Sequence, residues 1–223
     1  MPYVVAIDGP AGTGKGTVAK IVADRLNLIY IDTGAMYRAV CVKALKNKIE
    51  PEELEKIEKI LKDISIKLIR ENDTQKVLLD GEDVTEQIRT PKVDSYVAKF
   101  AAIKQVREKM TPLQRAMRSE GNIIMEGRDI TTVVFPDAEV KIYLDATVEE
   151  RAKRRYKQNI EKGIDCTYEE VLKSIKERHI LETTRKIAPL KKADDAVYLD
   201  TTKLSIEEVV QRIIGIINEK INN

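Results

Sequence analysis

Short apolar runs separated by long amphipathic stretches dominate this chain, the alternation expected of a parallel sheet with helices on both faces. Five runs read as core strands, at residues 3–8, 28–32, 122–126, 140–145 and 196–200. Each closes on an acidic residue: Asp8, Asp32, Glu126, Asp145 and Asp200. Ligands of open α/β sheets bind beyond the carboxyl ends of the strands, so these ends are where chemistry is expected. Asp145 and Asp200 read more simply as helix-cap or turn residues.

The pattern breaks between the second and third core strands. Residues 51–63 predict a helix with Pro51 in its first turn and Glu–Lys pairs at helical spacing. Ile64–Ile69 and Val77–Leu79 then read as antiparallel strands joined through Glu71-Asn72-Asp73, with a second turn at Asp80-Gly81. A small hairpin sheet interrupting a parallel domain is a candidate substrate-binding insert; a surface elaboration is the plainer alternative.

Composition narrows the classes. The 223 residues suit one α/β domain with an insertion. Charged residues make up 34% of the chain, yet the net charge is only +2, so a general nucleic-acid coat is not expected. Cys41 and Cys166 lie far apart, without metal or redox spacing, and read as reduced thiols. The first strand follows almost at once on Met1, so no signal peptide is expected. No apolar run approaches the ~20 residues of a membrane span, and a cytoplasmic location is expected.

The most informative stretch is Gly9-Pro10-Ala11-Gly12-Thr13-Gly14-Lys15-Gly16-Thr17, directly behind the apolar run Tyr3–Ile7. Strand, glycine-rich loop, Lys and helix together read as a phosphate loop. The glycines let backbone N–H groups turn inward around an anion, Lys15 adds a point charge, and the helix presents its positive end. The usual motif has Ser or Thr directly after the Lys, where its hydroxyl meets Mg²⁺. Here Gly16 stands there and Thr17 follows, an ending that resembles the nucleoside monophosphate kinases.

Basic and acidic residues supply the second half of the pattern. Asp32 or Thr33 can cap the helix that carries Arg38, whose planar fork suits an acceptor phosphate. The third strand ends in Glu126-Gly127-Arg128-Asp129, where an acid behind a strand commonly helps hold Mg²⁺ or its water shell. Arg151, Arg154 and Arg155 lie on a helix running toward Gly163. Arg178 and Arg185 fall seven apart on a second helix, which two turns would put on one face. Such a helix–loop–helix is where a mobile lid is expected, although charge runs are also ordinary solvated faces. His179 has no partner spacing for metal or general-base work, and aromatics are only 4% of the chain, too few for a base-stacking platform.

Taken together, the chain resembles the bacterial cytidylate kinase family over nearly its full length. The segments that carry the resemblance are Ile7–Thr17, Asp32–Arg38, Gly81–Thr85 with Ile88-Arg89-Thr90, Gly127-Arg128-Asp129, Val133–Ala138 and Ala188-Pro189-Leu190. The resemblance implies a P-loop three-layer α/β fold: a five-stranded parallel sheet, a small antiparallel-sheet insert for the acceptor nucleotide, and a helical lid. It implies one nucleotide kinase domain over 1–223. Residues 1–38, 112–150 and 188–223 would form the core, 39–111 the acceptor-binding region and 151–187 the Arg-rich lid. The implied reaction moves the γ-phosphoryl group of ATP to CMP or dCMP with Mg²⁺, in a monomer without nucleic-acid or membrane partners.

By position, the resemblance implies that Gly9–Thr17 binds ATP phosphates, with Lys15 following the transferred group and Arg154 and Arg155 closing over the nucleotide. Thr33, Arg38 and Arg128 would hold the acceptor phosphate; Arg107 and Asp129 would read cytosine. Arg178, Glu182 and Arg185 would reach phosphate and sugar, and Thr17 and Glu126 would meet the metal ion, directly or through water. Three positions depart from the family pattern: Ala98 where Ser is common, Glu182 where Asp is common, and Thr131 where Gly is common. Ser95, one turn before Ala98, could supply the hydroxyl Ala98 lacks. The alternatives are phosphorylation of UMP or of a small metabolite of shikimate or gluconate type, whose kinases lack the long insert. A nucleotide-dependent switch or nucleic-acid ATPase is a weaker reading, because no Asn-Lys-x-Asp or Asp-x-x-Gly motif is present.

Overall fold

The structure is a computed structural model that describes residues 2–71 and 74–221. The chain divides into two compact units, one formed by residues 1–30 and 117–223, the other by 31–116. Each is described separately.

The parallel sheet has five strands, β1 (Val4–Asp8), β2 (Ile29–Asp32), β6 (Ile123–Gly127), β7 (Val140–Asp145) and β8 (Val197–Asp200), in the order β2-β6-β1-β7-β8; all of it belongs to the first unit except Ile31 and Asp32, with which the second begins. All five expected core strands form. β1 pairs in parallel with both neighbours, Asp8 opposite Gly127 on one side and Tyr143 on the other. Every residue of β1 is buried, and Val4–Ile7 are apolar without alternation before the buried Asp8: both faces of the sheet are covered there. One connection leaves β1 for β2 at the far edge, whereas β6 is followed by β7 on the opposite side of β1. The carboxyl ends of β1 and β6 therefore meet at a topological switch point.

Helices α1 (Lys15–Leu26) and α8 (Ile206–Ile221) pack on this sheet, joining Val18, Val22, Val210 and Ile213 to Ile7, Ile124 and Ile142 in one core. Asp145 and Asp200 serve as turn residues: Asp145 accepts from the Ala146 N–H at 2.8 Å and Asp200 from the Thr202 N–H at 2.8 Å. Two further helices, α6 (Val148–Glu161) and α7 (Tyr168–Thr184), pack on each other through Ala152, Val171 and Ile175. Helix α7 opens on a full capping box. The Thr167 hydroxyl accepts the Glu170 N–H at 3.2 Å while the Glu170 carboxylate accepts the Thr167 N–H at 2.8 Å.

The second unit comprises α2 (Thr33–Lys46), α3 (Leu54–Lys62), a three-stranded antiparallel sheet of β3 (Ile66–Glu71), β4 (Thr74–Leu79) and β5 (Glu82–Asp83), and helices α4 (Pro91–Ala101) and α5 (Lys104–Ala116). The expected insert is present, with two local corrections. Helix α3 starts at Leu54, so Pro51 precedes it instead of occupying its first turn. Residues 50–53 close a turn of their own, in which the Glu53 carboxylate takes the Glu50 N–H at 2.9 Å. The β3–β4 ladder also runs past the apolar residues to Glu71 opposite Thr74, because backbone pairing needs no apolar side chain. Asn72 and Asp73 of the expected joining turn lie outside the described residues. The other turn is a two-residue hairpin loop, with Asp80 at φ 53° and Gly81 at φ 88° between the paired Leu79 and Glu82. Among the described residues no helix is long and apolar enough to cross a membrane.

The capping box gives a test of local stability. Replacing Thr167 with Ala removes an N-cap worth about 1 kcal/mol. Hydrogen exchange of the first-turn amides of α7 should accelerate roughly fivefold; unchanged exchange would show that the box does not hold this helix.

Candidate active site

The loop between β1 and α1 carries the phosphate-loop geometry. Gly9, Gly12 and Gly14 all have positive φ, at 152°, 85° and 89°. Gly14 leads directly into the first turn of α1. Lys15 is buried, 4% exposed, and its Nζ donates to the Pro10 carbonyl at 2.7 Å and the Thr13 hydroxyl at 3.3 Å. Its ammonium thus lies across the loop it belongs to. Burial pushes its pKa down to about 7, helped by the Arg128 charge, while Glu126, Glu182 and Asp8 oppose the shift.

Gly16 has a spatial reason. A Cβ built there would stand 2.6 Å from Glu126 Oε1 and 3.3 Å from the Tyr30 hydroxyl, and Tyr30 donates to that same Oε1 at 2.8 Å. The place beside the Lys where other loops carry a hydroxyl is occupied by a carboxylate from the neighbouring strand. Thr17 lies exposed in the first turn of α1. Among the described residues no three carboxylate, His or Cys side chains gather as a metal cage. Mg²⁺ held by one carboxylate and nucleotide phosphates needs none, so Glu126 fits such an ion.

Arg128 and Asp129 follow β6 and pair with residues distant in sequence. Arg128 Nε donates to Glu182 Oε2 at 2.9 Å, and Arg178 Nε donates to Glu182 Oε1 at 2.8 Å. One carboxylate, 4% exposed, therefore joins α7 to the end of β6. Burial alone would raise the Glu182 pKa; attraction from Arg128, then Arg178, more than reverses this and holds it far below the usual carboxylate range. Asp129 and Arg185 meet at 3.5 Å.

Arg185 corrects an expectation. Helix α7 ends at Thr184, and Arg185 already has the non-helical φ −59°, ψ 141°, so it does not share a helical face with Arg178. The chain leaves the helix toward Ala188, at φ 48°, whose carbonyl accepts from Arg185 Nε at 2.7 Å.

The arginines of α6 divide differently from a simple lid. Arg151 is buried and donates to the Ala146 and Ala11 carbonyls at 3.1 and 3.2 Å. Arg154 donates to the Thr13 carbonyl at 3.3 Å, to the Thr201 hydroxyl and carbonyl at 3.0 and 2.6 Å, and to Glu150 at 2.9 Å. Both brace the phosphate loop from behind. Arg155 instead reaches Gln158 along its own helix at 2.9 Å. Thr201, just past β8 and almost fully buried, is a brace that no sequence signal marked.

The second unit holds its own charged cluster. Asp32 caps α2 by accepting the Ala35 N–H at 3.0 Å and takes Arg89 at 2.7 Å; Thr33 is the first, buried residue of that helix. Burial opposes ionisation of Asp32, yet Arg89 and then Arg38 hold its pKa below the ordinary value. Arg38 pairs with Asp94 at 2.5 Å and donates to the Ile88 carbonyl at 3.1 Å. Arg107 is buried in α5, donating to the Ala101 carbonyl at 3.1 Å with its guanidinium 5.4 Å from the Tyr37 ring centre. In α4 the Ser95 hydroxyl donates to the Lys92 carbonyl of its own helix at 2.8 Å. Arg89 and Tyr37 lie in segments that carry the resemblance and Asp94 does not, but no sequence pattern gave any of the three its contact, because each contact is set by packing between separate elements.

A family model for cytidylate kinases matches residues 5–219. The chain belongs to the cytidylate kinase family. It is 51% identical to the cytidylate kinase of Carboxydothermus hydrogenoformans over 216 residues, 97% of each chain. It is 50% identical to that of Bacillus thuringiensis over 214 residues, covering 96% of this chain and 95% of the relative. Among solved structures, an uncharacterised protein from Eubacterium ventriosum shares the fold at TM-score 0.52 and 12% identity, with 98% of this chain and 99% of that one covered.

Two outcomes test this geometry in a cytidylate kinase family member. Gly16→Ser should push the Glu126 carboxylate off Tyr30 and lower phosphoryl transfer roughly tenfold to a hundredfold, the scale of a misplaced catalytic group. Unchanged turnover would show that the space at Gly16 is not required. Because Lys15 titrates near 7 and polyphosphate favours its charged form, ATP binding should take up about one proton at pH 8 and almost none at pH 6. Calorimetry in buffers of different ionisation enthalpy reads this directly; no uptake at pH 8 would place Lys15 in its charged form beforehand.

Proposed function

We propose that this chain transfers the γ-phosphoryl group of ATP to CMP or dCMP, yielding ADP and CDP or dCDP. The observation that carries the reading is the full-length family match to cytidylate kinases, joined to a phosphate loop with a buried Lys15. The same reading places the enzyme in the cytoplasm, working as a monomer on small nucleotides.

Phosphoryl transfer asks a protein for positioning and charge more than for covalent chemistry. The backbone N–H groups of the Gly9–Thr17 loop, Pro10 having none, and the Lys15 ammonium hold the ATP phosphates. Glu126, with Thr17, would hold Mg²⁺, which supplies charge neutralisation across the phosphate oxygens when bound. Arg128, Arg178 and Arg185 are donors for the phosphoryl oxygens and the acceptor's phosphate and sugar. Asp129 accepts a hydrogen bond from the cytosine edge. In the second unit Thr33, Arg38 and Arg107 are the proposed acceptor contacts. Arg154, held against the Thr13 and Thr201 carbonyls, and Arg155 are the proposed contacts from α6 to the nucleotide; excluding water from the γ-phosphate is what closure over it would supply.

An assay of ADP formation against CMP, dCMP, UMP, AMP and shikimate tests the assignment. CMP or dCMP should be preferred, and equal rates with UMP would overturn it. Lys15→Ala should lower turnover at least a hundredfold, the scale of losing one preorganised donor to the transition state.

A further inference from the structure

The sharp turn behind Arg128 and Asp129 has an unusual support. Residues Ile130–Val134 form one wide helical turn begun by Asp129, whose carbonyl accepts the Val133 and Val134 N–H groups at 2.9 and 3.1 Å. The first N–H groups of any helical turn lack partners within it, and an Asp in the capping position ordinarily accepts one with its own side chain. Asp129 does not; its carboxylate faces Arg185 at 3.5 Å. The orphan donors go instead to Asp8. Its Oδ1 accepts the Ile130 N–H at 2.9 Å, and its Oδ2 accepts both the Thr131 N–H and the Thr131 hydroxyl at 2.7 Å. Asp8 is 0% exposed and Thr131 1% exposed.

We propose that Asp8 and Thr131 are a positioning pair: Asp8 caps the turn from the adjacent strand, so that the Asp129 carboxylate stays turned toward substrate. The inference rests on the reading of Arg128 and Asp129 as acceptor contacts. Its physical basis is a division of labour between two carboxylates. A side chain that caps its own turn cannot also present both oxygens to a ligand, and Asp8 removes that competition. Asp8 is also the last residue of β1, immediately before Gly9, so the support of the acceptor turn and the root of the phosphate loop are one residue. Thr131 adds a third donor where a glycine would offer only its N–H. Burial, with the Asp129 charge, outweighs these three bonds and raises Asp8 to about 6.

Thr131→Val keeps the volume and the N–H but removes the hydroxyl. It should raise KM for CMP roughly tenfold, the scale of one buried hydrogen bond, while KM for ATP stays within about twofold. Thr131→Ser should restore the CMP value. An unchanged KM for CMP in Thr131→Val, or equal rises for both substrates, would overturn the proposal. Asp8→Asn should speed exchange of the Ile130 and Thr131 amides while the β1–β6 ladder stays protected; unchanged exchange would also overturn it. Asp129→Ala separates the two readings. If it leaves KM for CMP unaltered, Asp129 is not an acceptor contact, whereas the amide exchange still decides whether Asp8 caps the turn.

Discussion

A single buried carboxylate, Glu182, holds two arginines that would otherwise repel one another and the nearby Lys15. Its two oxygens take Arg128 from the end of β6 and Arg178 from its own helix, one turn earlier. Without it, the Arg128 and Arg178 guanidinium groups would lose their shared carboxylate beside the buried Lys15, and charge left in a fold without a partner is costly. With it, α7 is fastened to β6. The arginines keep fixed directions, and the Lys15 ammonium gains one of the carboxylates that partly offset its burial. The cluster that suits the site to polyphosphate is therefore also what joins its separate elements.

The acidic residues behind the strands divide the remaining work according to what they face. Asp8 turns inward and caps a neighbouring turn; Glu126 lies beside Gly16 under the Tyr30 hydroxyl; Asp145 and Asp200 close turns at the carboxyl ends of β7 and β8. Asp32, in the second unit, caps α2 while pairing with Arg89. These positions look alike along the chain, since each is an acid ending an apolar run. Asp145 and Asp200 take donors one and two residues on, a local arrangement, whereas the donors to Asp8 and Glu126, and Arg89 on Asp32, come from other elements that no local pattern records.

The same limit explains the arginines. Arg151 and Arg154 read as lid residues by their place on a charged helix, yet their donors reach loop carbonyls at Ala11 and Thr13. A guanidinium has five N–H donors and takes whatever acceptors its helix brings near. By its spacing of seven from Arg178, Arg185 falls on the same helical face, because the 3.6-residue period continues past Thr184. The backbone leaves the helix there, and the period stops with it. At Pro51 the reverse holds: a residue favourable in a first turn stands in a separate turn closed by Glu53.

What the sequence determined by itself is the class of protein and the place of its chemistry. Periodicity located five core strands and the hairpin insert, and the spacing Gly9–Thr17 marked the phosphate loop, because strand burial and tight turns leave signatures within a few residues. Gly16 belongs to that legible set as an oddity; its cause does not. Only the tertiary structure decided that Glu126 fills the space at Gly16, that Glu182 joins Arg128 to Arg178, and that Asp8 caps a turn more than a hundred residues away. Each is a contact between elements distant in the chain, and such contacts are settled by how the sheet orders its strands and by where buried charge can find a partner.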